Sequence, residues 1–167
     1  MGTNYTFENF IAEGCNEDGL LVIREYIAGY MYFPGVLLYG EDGSGKTHLL
    51  HACASELEKK GDKVLLTSAN SLAEEIYQAL GAEKKILLSW LFEKYEDYDA
   101  LFIDDLWWLV GREAMQDVFR EIIANFITDG KPVILTLDKE DGEYYFEKNF
   151  RKCLWRAFPV EIFKREI

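Results

Sequence analysis

The sequence predicts an α/β domain in which parallel strands are covered by helices on both faces. Short, nearly continuous apolar runs recur along the chain, as in strands that are buried on both faces. Segments with apolar residues at helical spacing separate these runs. A glycine-rich loop joins the first run to the first of these helical segments. The chain of 167 residues is long enough for one such domain, so we expect residues 1–167 to form a single domain.

Five apolar runs are predicted to be strands. They cover residues 35–39, 63–68, 100–104, 132–137 and 159–163. In doubly wound sheets, ligands bind beyond the carboxyl ends of the strands. Gly40, Asp104 and Leu137 lie at three such ends, so this edge is the expected location of a site.

Three segments between the strands are predicted to be helices. Residues 46–60 carry apolar residues at helical spacing, and Gly61 is a plausible stop. Ser71 and Glu74 have the spacing of a capping box, which predicts a helix from there through Leu80. Residues 112–128 place their apolar side chains on one stripe, the pattern of a helix packed on a core.

Composition excludes several classes of protein. No apolar run approaches the roughly 20 residues that a membrane span needs, and the first residues lack the pattern of a secretory signal. Cys15, Cys53 and Cys153 are widely spaced and odd in number, which favours buried thiols over a disulfide framework or a zinc site. We therefore expect a cytoplasmic protein with no membrane partner.

The net charge of −12 argues against a nucleic-acid-binding surface, because phosphate backbones repel an acidic chain. Charge is segregated, however: residues 148–167 carry a net charge of +4. This basic end is too small for a DNA-binding face. It suggests self-association, or contact with a phosphate bound by a neighbouring molecule.

Residues 40–47 have the pattern GxxxxGKT, with a predicted strand before them and a predicted helix after them. Glycines let successive backbone N–H groups point at phosphate oxygens, and the helix start adds a positive dipole end. Lys46 is positioned for the β- and γ-phosphates, and the Thr47 hydroxyl is a potential Mg²⁺ ligand. The predicted ATP- or ADP-binding set is Gly40, Gly43, Ser44, Gly45, Lys46, Thr47 and His48. The side chains of His48 and His51 are themselves interpreted as packing residues, with no metal between them.

Asp104 and Asp105 follow the apolar strand ALFI, the form of a Walker B element. Asp104 is predicted to bind Mg²⁺ together with Thr47, and Asp105 to orient the attacking water. Both aspartates could instead belong to the acidic surface of residues 96–99.

Two further residues are candidates for a catalytic role. Asp138 ends the fourth predicted strand and is a candidate polar sensor, with Thr136 as the alternative. Arg156 precedes the last strand and is a candidate arginine finger for a γ-phosphate on an adjacent subunit, with Arg151 as the weaker alternative. Trp107, Trp108 and the aromatic residues 144–146 are interpreted as core or protein-interface residues, because they lack basic neighbours.

Four stretches together resemble the AAA+ ATPase domain of the bacterial replication initiator DnaA and its homologue Hda. They are YTFENFIAEGCN (5–16), GEDGSGKTHLLHA (40–52), YDALFIDDLWWLVGRE (98–113) and VILTLD (133–138). The resemblance implies a three-layer α/β/α P-loop fold with a five-stranded parallel sheet in the order 5-1-4-3-2. It also implies an adenine site near the N-terminal segment, around Phe7, Phe10 and Ile11.

The chain departs from that family pattern in several places. It ends where the family's helical lid would begin, and the helix-turn-helix domain of the initiator is missing, so a core without either is expected. Carboxylates outnumber lysines between Ser71 and Tyr98, where the initiator contacts single-stranded DNA. The family's finger motif ends in SRF, whereas this chain has WRAF, which leaves the register of Arg156 open by one position.

The favoured function is an ATP/ADP-binding protein that acts in replication initiation, or regulates it, through nucleotide-dependent contacts with other AAA+ subunits. Partner identity, oligomeric state and the occurrence of hydrolysis stay open. A free-standing ATPase, at most a slow one, and a helicase-loader-type AAA+ protein are the alternatives. A small P-loop kinase is disfavoured, because no arginine-rich lid for an acceptor is evident.

Overall fold

The computed structural model describes residues 5–12, 14–79, 84–138 and 145–164. Within these residues, five strands form one sheet in the order β2-β3-β4-β1-β5, and all neighbouring strands are parallel. This is the predicted order 5-1-4-3-2 read from the other edge, so the predicted topology is confirmed. The strands are β1 (Val36–Gly40), β2 (Val64–Ser68), β3 (Ala100–Asp104), β4 (Val133–Asp138) and β5 (Phe158–Glu161).

Six α-helices and one 3₁₀ turn are found in the described part of the chain. The helices are α1 (Cys15–Ile27), α2 (Lys46–Lys59), α3 (Ala69–Gln78), α4 (Lys84–Tyr95), α5 (Glu113–Thr128) and α6 (Lys148–Leu154). The 3₁₀ turn covers Leu106–Leu109 and directly follows the predicted Walker B aspartates.

The helices cover both faces of the sheet, as the apolar strands require. Alternate residues of a strand point to opposite faces, and β4 illustrates this. Leu135 packs in a core with residues of α3, α4, α5 and α6, whereas its neighbour Ile134 packs in a second core with residues of α1 and α2. The result is the three-layer α/β/α arrangement that the sequence predicts.

The carboxyl ends of β1 and β4 are level with each other. Gly40, the last residue of β1, pairs with Asp138, the last residue of β4. β4 also pairs with β3, so the loops that follow β1, β3 and β4 leave the sheet at the same edge. The predicted phosphate-binding loop and Walker B element are thereby brought together.

The last strand differs from its predicted bounds. It begins at Phe158 and ends at Glu161, rather than covering residues 159–163. The Ile162 N–H still donates to Tyr39 O, but Phe163 leaves the ladder because it forms two hydrogen bonds with the side chain of Asn16 instead of with a strand.

The start of α3 also differs from its prediction. Its N-cap is Ser68, whose side chain accepts a hydrogen bond from the Ser71 N–H, so Ser71 lies inside the helix and the capping-box prediction is wrong. Ser68 is at once the last residue of β2, so strand and helix join without a loop. Helices α1, α4 and α6 were not predicted from the sequence.

Several sequence predictions concern residues outside the described ranges, namely Leu80, Tyr144, Arg165, Glu166 and the side chain of Cys15. The thiols of Cys53 and Cys153 are buried and free, as expected, and burial raises the pKa of each. In the described residues, no helix is both long and apolar enough to cross a membrane.

The side chain of Tyr26 ties α1 to the amino end of β4. Its hydroxyl oxygen accepts a hydrogen bond from Val133 N at 3.0 Å, and its O–H lies 3.4 Å from Val133 O. Both residues are buried, so no solvent replaces this oxygen if it is lost. Burial also raises the pKa of Tyr26, which keeps the phenol protonated at neutral pH.

Tyr26→Phe is therefore expected to lower the free energy of unfolding by about 1–3 kcal/mol, because the buried Val133 N–H loses its acceptor. Urea unfolding followed by circular dichroism measures the change. Tyr32→Phe removes the same atom from a side chain that is 99% exposed and serves as the control, with an expected change below about 0.5 kcal/mol. Equal free energies of unfolding for the two variants would contradict the stabilising role of the Tyr26 hydroxyl.

Candidate functional site

A cleft of about 680 Å³ lies at the carboxyl edge of the sheet, where the loops after β1, β3 and β4 meet. Most of its lining residues come from the two motifs that the sequence analysis singled out. Among the described residues the lining is formed by Tyr5, Asp42, Gly43, Gly45, Lys46, Thr47, His48, Asp104, Asp105, Trp107, Thr136, Leu137 and Asp138. The structure thus collects the predicted Walker A, Walker B and sensor residues in one place.

Close contacts explain two of the glycines in the loop after β1. A β-carbon on Gly40 would lie 2.0 Å from the backbone oxygen of Ile162, so no larger residue fits there. Gly45 has a φ of 103°, and a β-carbon on it would lie 2.8 Å from the ring of Phe10. The loop is therefore packed between the segment after β5 and the N-terminal segment.

The ammonium group of Lys46 is buried at the base of the loop. It donates hydrogen bonds to Gly40 O at 2.8 Å and Glu41 O at 2.9 Å, and it lies 3.0 Å from the Asp138 carboxylate. These three acceptors match the three N–H donors of an ammonium group. Asp138 is half exposed, so a phosphate entering the cleft would compete with it for this cation.

The Asp104 carboxylate joins two other elements of the site. One oxygen accepts a hydrogen bond from the Thr47 hydroxyl at 2.8 Å, and the other accepts one from the Thr136 hydroxyl at 2.5 Å. Thr136 is buried, and its oxygen also accepts a hydrogen bond from the Asp105 N–H. Thr136, which the sequence analysis ranked behind Asp138 as a sensor, therefore orients both Walker B residues.

Asp105 has an unusual backbone conformation, with φ 57° and ψ 59°. It is the one non-glycine residue of the described chain with a positive φ, a conformation that aspartate tolerates better than most residues. Burial raises the pKa of its carboxyl group, and the nearby Asp138 and Asp104 add to the shift, while Lys46 opposes it. Strain and a disfavoured charge at one position are typical of functional sites.

The donor set fits a nucleotide with Mg²⁺. The Ser44 hydroxyl is buried and has no hydrogen-bond partner among the described residues, so a polar atom of the loop is left for a ligand. Thr47 and Asp104 supply a hydroxyl and a carboxylate, the hard oxygen ligands that Mg²⁺ prefers. Among the described residues, no cluster of three or more His, Cys, Asp or Glu side chains that could hold a metal ion is found.

The N-terminal segment contacts the start of α2, but partly through other residues than those predicted. His48 donates a hydrogen bond from Nε2 to Thr6 O, and its ring packs against Tyr5 and Phe10. Tyr5 lines the cleft, whereas Phe7 is buried in the core beside α1 and α2.

Ile11 is 63% exposed, and neither Phe7 nor Ile11 is among the described residues that line the cleft. Their role near an adenine stays a prediction.

Arg156 lies at the opposite edge of the sheet. Phe158, two residues later, pairs with Val36 at the start of β1, and its N–H donates to Gly35 O. The four residue steps from Val36 to Gly40 correspond to about 13 Å of strand. Arg156 is exposed at that amino edge, so it is available to another molecule and does not line the cleft of its own chain.

Sequence reasoning missed the contributions of Tyr5 and Trp107, and it named Phe10 near an adenine without its contact to Gly45. Trp107 lines the cleft and packs edge-on against Tyr145, with ring centroids 5.5 Å apart. An aromatic residue two positions after the second Walker B aspartate could have been predicted to border the site, because it follows closely on the strand end. Phe10 gave no local signal, since its contact with Gly45 depends on the tertiary fold.

Comparison with known proteins agrees with this geometry. The family model described as the bacterial DnaA ATPase domain matches residues 1–152. The chromosomal replication initiator protein DnaA of Aquifex aeolicus is 33% identical over 141 residues, which cover 83% of this chain and 34% of that protein. DnaA of Mesoplasma florum is 31% identical over 135 residues, covering 80% and 30%. The chain spans about a third of the length of these relatives.

Solved structures give the same result. AMPPCP-bound DnaA from Aquifex aeolicus superposes with a TM-score of 0.82 at 31% identity, covering 95% of this chain and 50% of that one. The DnaC helicase loader superposes with a TM-score of 0.73 over 95% of this chain and 97% of that one, but at 19% identity this likeness shows the fold alone. From the family match and the fold, the chain belongs to the family of bacterial DnaA ATPase domains.

Proposed function

We propose that this chain binds ATP and ADP with Mg²⁺ and acts as a nucleotide-dependent switch in replication initiation or its control. The observation that carries the proposal is the hydrogen-bonded set of Thr47, Asp104 and Thr136 beside the buried Lys46, at the mouth of a glycine-rich loop. The DnaA relative with AMPPCP bound supports the nucleotide class.

Each residue of the cleft has a distinct part in this proposal. The loop N–H groups and Lys46 would bind the phosphates, and Thr47 and Asp104 would hold Mg²⁺, which would neutralise phosphate charge. Thr136 keeps the Asp104 carboxylate in position. The Asp105 carboxylate would accept a hydrogen bond from the attacking water and so orient it.

A switch is favoured over rapid turnover because of where the cations lie. Lys46 is the only cation among the described residues that line the cleft, and Arg156 lies at the far edge of the sheet. A finger that stabilises transition-state charge then has to come from another subunit. We propose that Arg156 serves this purpose in a neighbour, so that the γ-phosphate orders a contact between AAA+ subunits. A partner could be a second copy or a full-length initiator.

A helicase-loader role is the second candidate, because DnaC and DnaI share the fold over most of their own lengths. Their identity to this chain is only 19% and 20%, below that of the DnaA relatives. The DnaA-type role is therefore preferred. Direct DNA binding is not part of the proposal, since the net charge of −12 opposes it.

Lys46→Ala is expected to weaken ADP binding about tenfold to a hundredfold, because a charge-assisted contact of about 1.5–3 kcal/mol is lost. Titration of a fluorescent ADP analogue measures the affinity. Lys60→Ala at the exposed end of α2 removes the same charge far from the loop and should bind as the wild type does. Equal affinity of wild type and Lys46→Ala would refute the site.

Asp105→Asn is expected to raise stability in the absence of nucleotide and metal. Since the folded state raises the pKa of Asp105, ionisation at pH 7 opposes folding, and this cost disappears once the pH falls below the ordinary value near 4. The variant should therefore melt above the wild type at pH 7 but not at low pH. Thermal unfolding in EDTA tests this, with the exposed Asp97→Asn as the matched control.

The same variant tests turnover. Phosphate release by the wild type alone is expected to be slow, and slower still in Asp105→Asn. A brisk wild-type rate that Asp105→Asn abolishes would overturn the switch in favour of a free-standing ATPase.

Light scattering with ATP, with ADP and without nucleotide tests assembly. We expect a larger species with ATP that Arg156→Ala abolishes, while nucleotide affinity stays unchanged because Arg156 lies far from its own cleft. Lys148→Ala on the same basic segment is the control. One mass under all three conditions would contradict assembly of this chain with itself, and mixing with a full-length initiator would then be decisive.

A further inference from the structure

The side chain of Lys164 lies against the phosphate-binding loop. Its Cε and Nζ atoms are 3.8 Å and 3.9 Å from the position that a β-carbon of Gly43 would occupy. Gly43 has a φ of 76° and lines the cleft, and Lys164, which is not itself among the described lining residues, borders the loop at this glycine. The sequence motif ends more than a hundred residues earlier and gives no sign of this neighbour.

The backbone before Lys164 is fixed in place by two contacts. The Ile162 carbonyl lies directly on Gly40 at the start of the loop. The next residue, Phe163, exchanges two hydrogen bonds with the Asn16 side chain, at 2.9 Å and 3.0 Å. Asn16 is buried near the start of α1. Lys164 thus follows a segment whose backbone contacts both α1 and the loop.

The described lining of the cleft carries more carboxylates than cations, so a further cation beside the loop would favour binding of an anion. Among the described residues, its lining has four aspartates and only one cation, Lys46. That cation is already paired with one of the aspartates, Asp138. No described carboxylate forms a salt bridge with Lys164, whose side chain is exposed beside the loop.

We propose that Lys164 is a second phosphate-binding cation, which reaches the phosphate chain of the nucleotide from the Gly43 side of the loop while Lys46 holds it from the base. This proposal rests on the proposed nucleotide binding. It adds a residue outside the Walker elements, contributed by the segment that follows β5. Because Lys164 is exposed, its contribution is smaller than that of Lys46 and is screened by salt.

The test compares Lys164→Gln with Lys164→Arg and with Lys60→Gln, the same charge change at the remote end of α2. A fluorescent ADP analogue is titrated into each at low and at high potassium chloride concentration. We expect Lys164→Gln to bind about three- to tenfold more weakly at low salt, with most of the difference lost at high salt. Lys164→Arg should bind within about twofold of the wild type, and Lys60→Gln should bind as the wild type does.

Two results would overturn the role of Lys164. One is equal affinity of Lys164→Gln and Lys60→Gln at low salt. The other is a loss that persists at high salt and is not rescued by arginine, together with a lowered melting temperature, which would indicate a structural role. Lys46→Ala in the same titration separates the two proposals. If it weakens binding and Lys164→Gln does not, only Lys164 is misassigned, whereas no binding by the wild type would refute nucleotide binding itself.

Discussion

The carboxylate of Asp104 is the point at which the separate parts of the site are joined. Its two oxygens accept hydrogen bonds from Thr47 at the start of α2 and from Thr136 in β4. Thr136 in turn accepts a hydrogen bond from the Asp105 N–H. Strands β3 and β4 and the start of α2 are thereby held in a fixed relation before any ligand arrives. Preorganisation of this kind reduces the cost of ordering side chains when a ligand binds.

The parts of the site that lie within short sequence motifs could be predicted from the sequence. The loop of residues 40–47 carries its strand, glycines, lysine and hydroxyl within one short stretch, and the Walker B aspartates follow an unmistakable apolar strand. The family resemblance supplied the strand order, which residue patterns alone do not determine. The structure confirms that order.

The contacts that sequence reasoning missed join residues far apart in the chain. Thr136 and Asp104 are 32 residues apart, and Asn16 and Phe163 are 147 residues apart. Neither pair has a local signature. The predicted start of helix α3 was wrong for a different reason, because two nearby serines were both candidates for its N-cap. Ser68 prevails since it ends β2 in an extended conformation, as an N-cap requires, whereas Ser71 is already helical. The capping-box spacing to Glu74 favoured Ser71 over Ser68.

Strand β5 connects two regions with different proposed roles. One region, at Arg156, is proposed to contact another molecule, and the other, the loop of residues 40–47, is proposed to bind the nucleotide of this chain. The amino end of β5 follows Arg156, and the backbone just past its carboxyl end presses on Gly40 and, through Asn16, on α1. A short strand is stiff along its axis, so it holds the edge where Arg156 lies at a fixed distance from the loop of residues 40–47. If docking at the Arg156 edge alters nucleotide affinity by some factor, linkage requires that nucleotide alter docking by the same factor. Coupling between docking and nucleotide affinity would then be transmitted along strand β5 and would not require the movement of a separate domain.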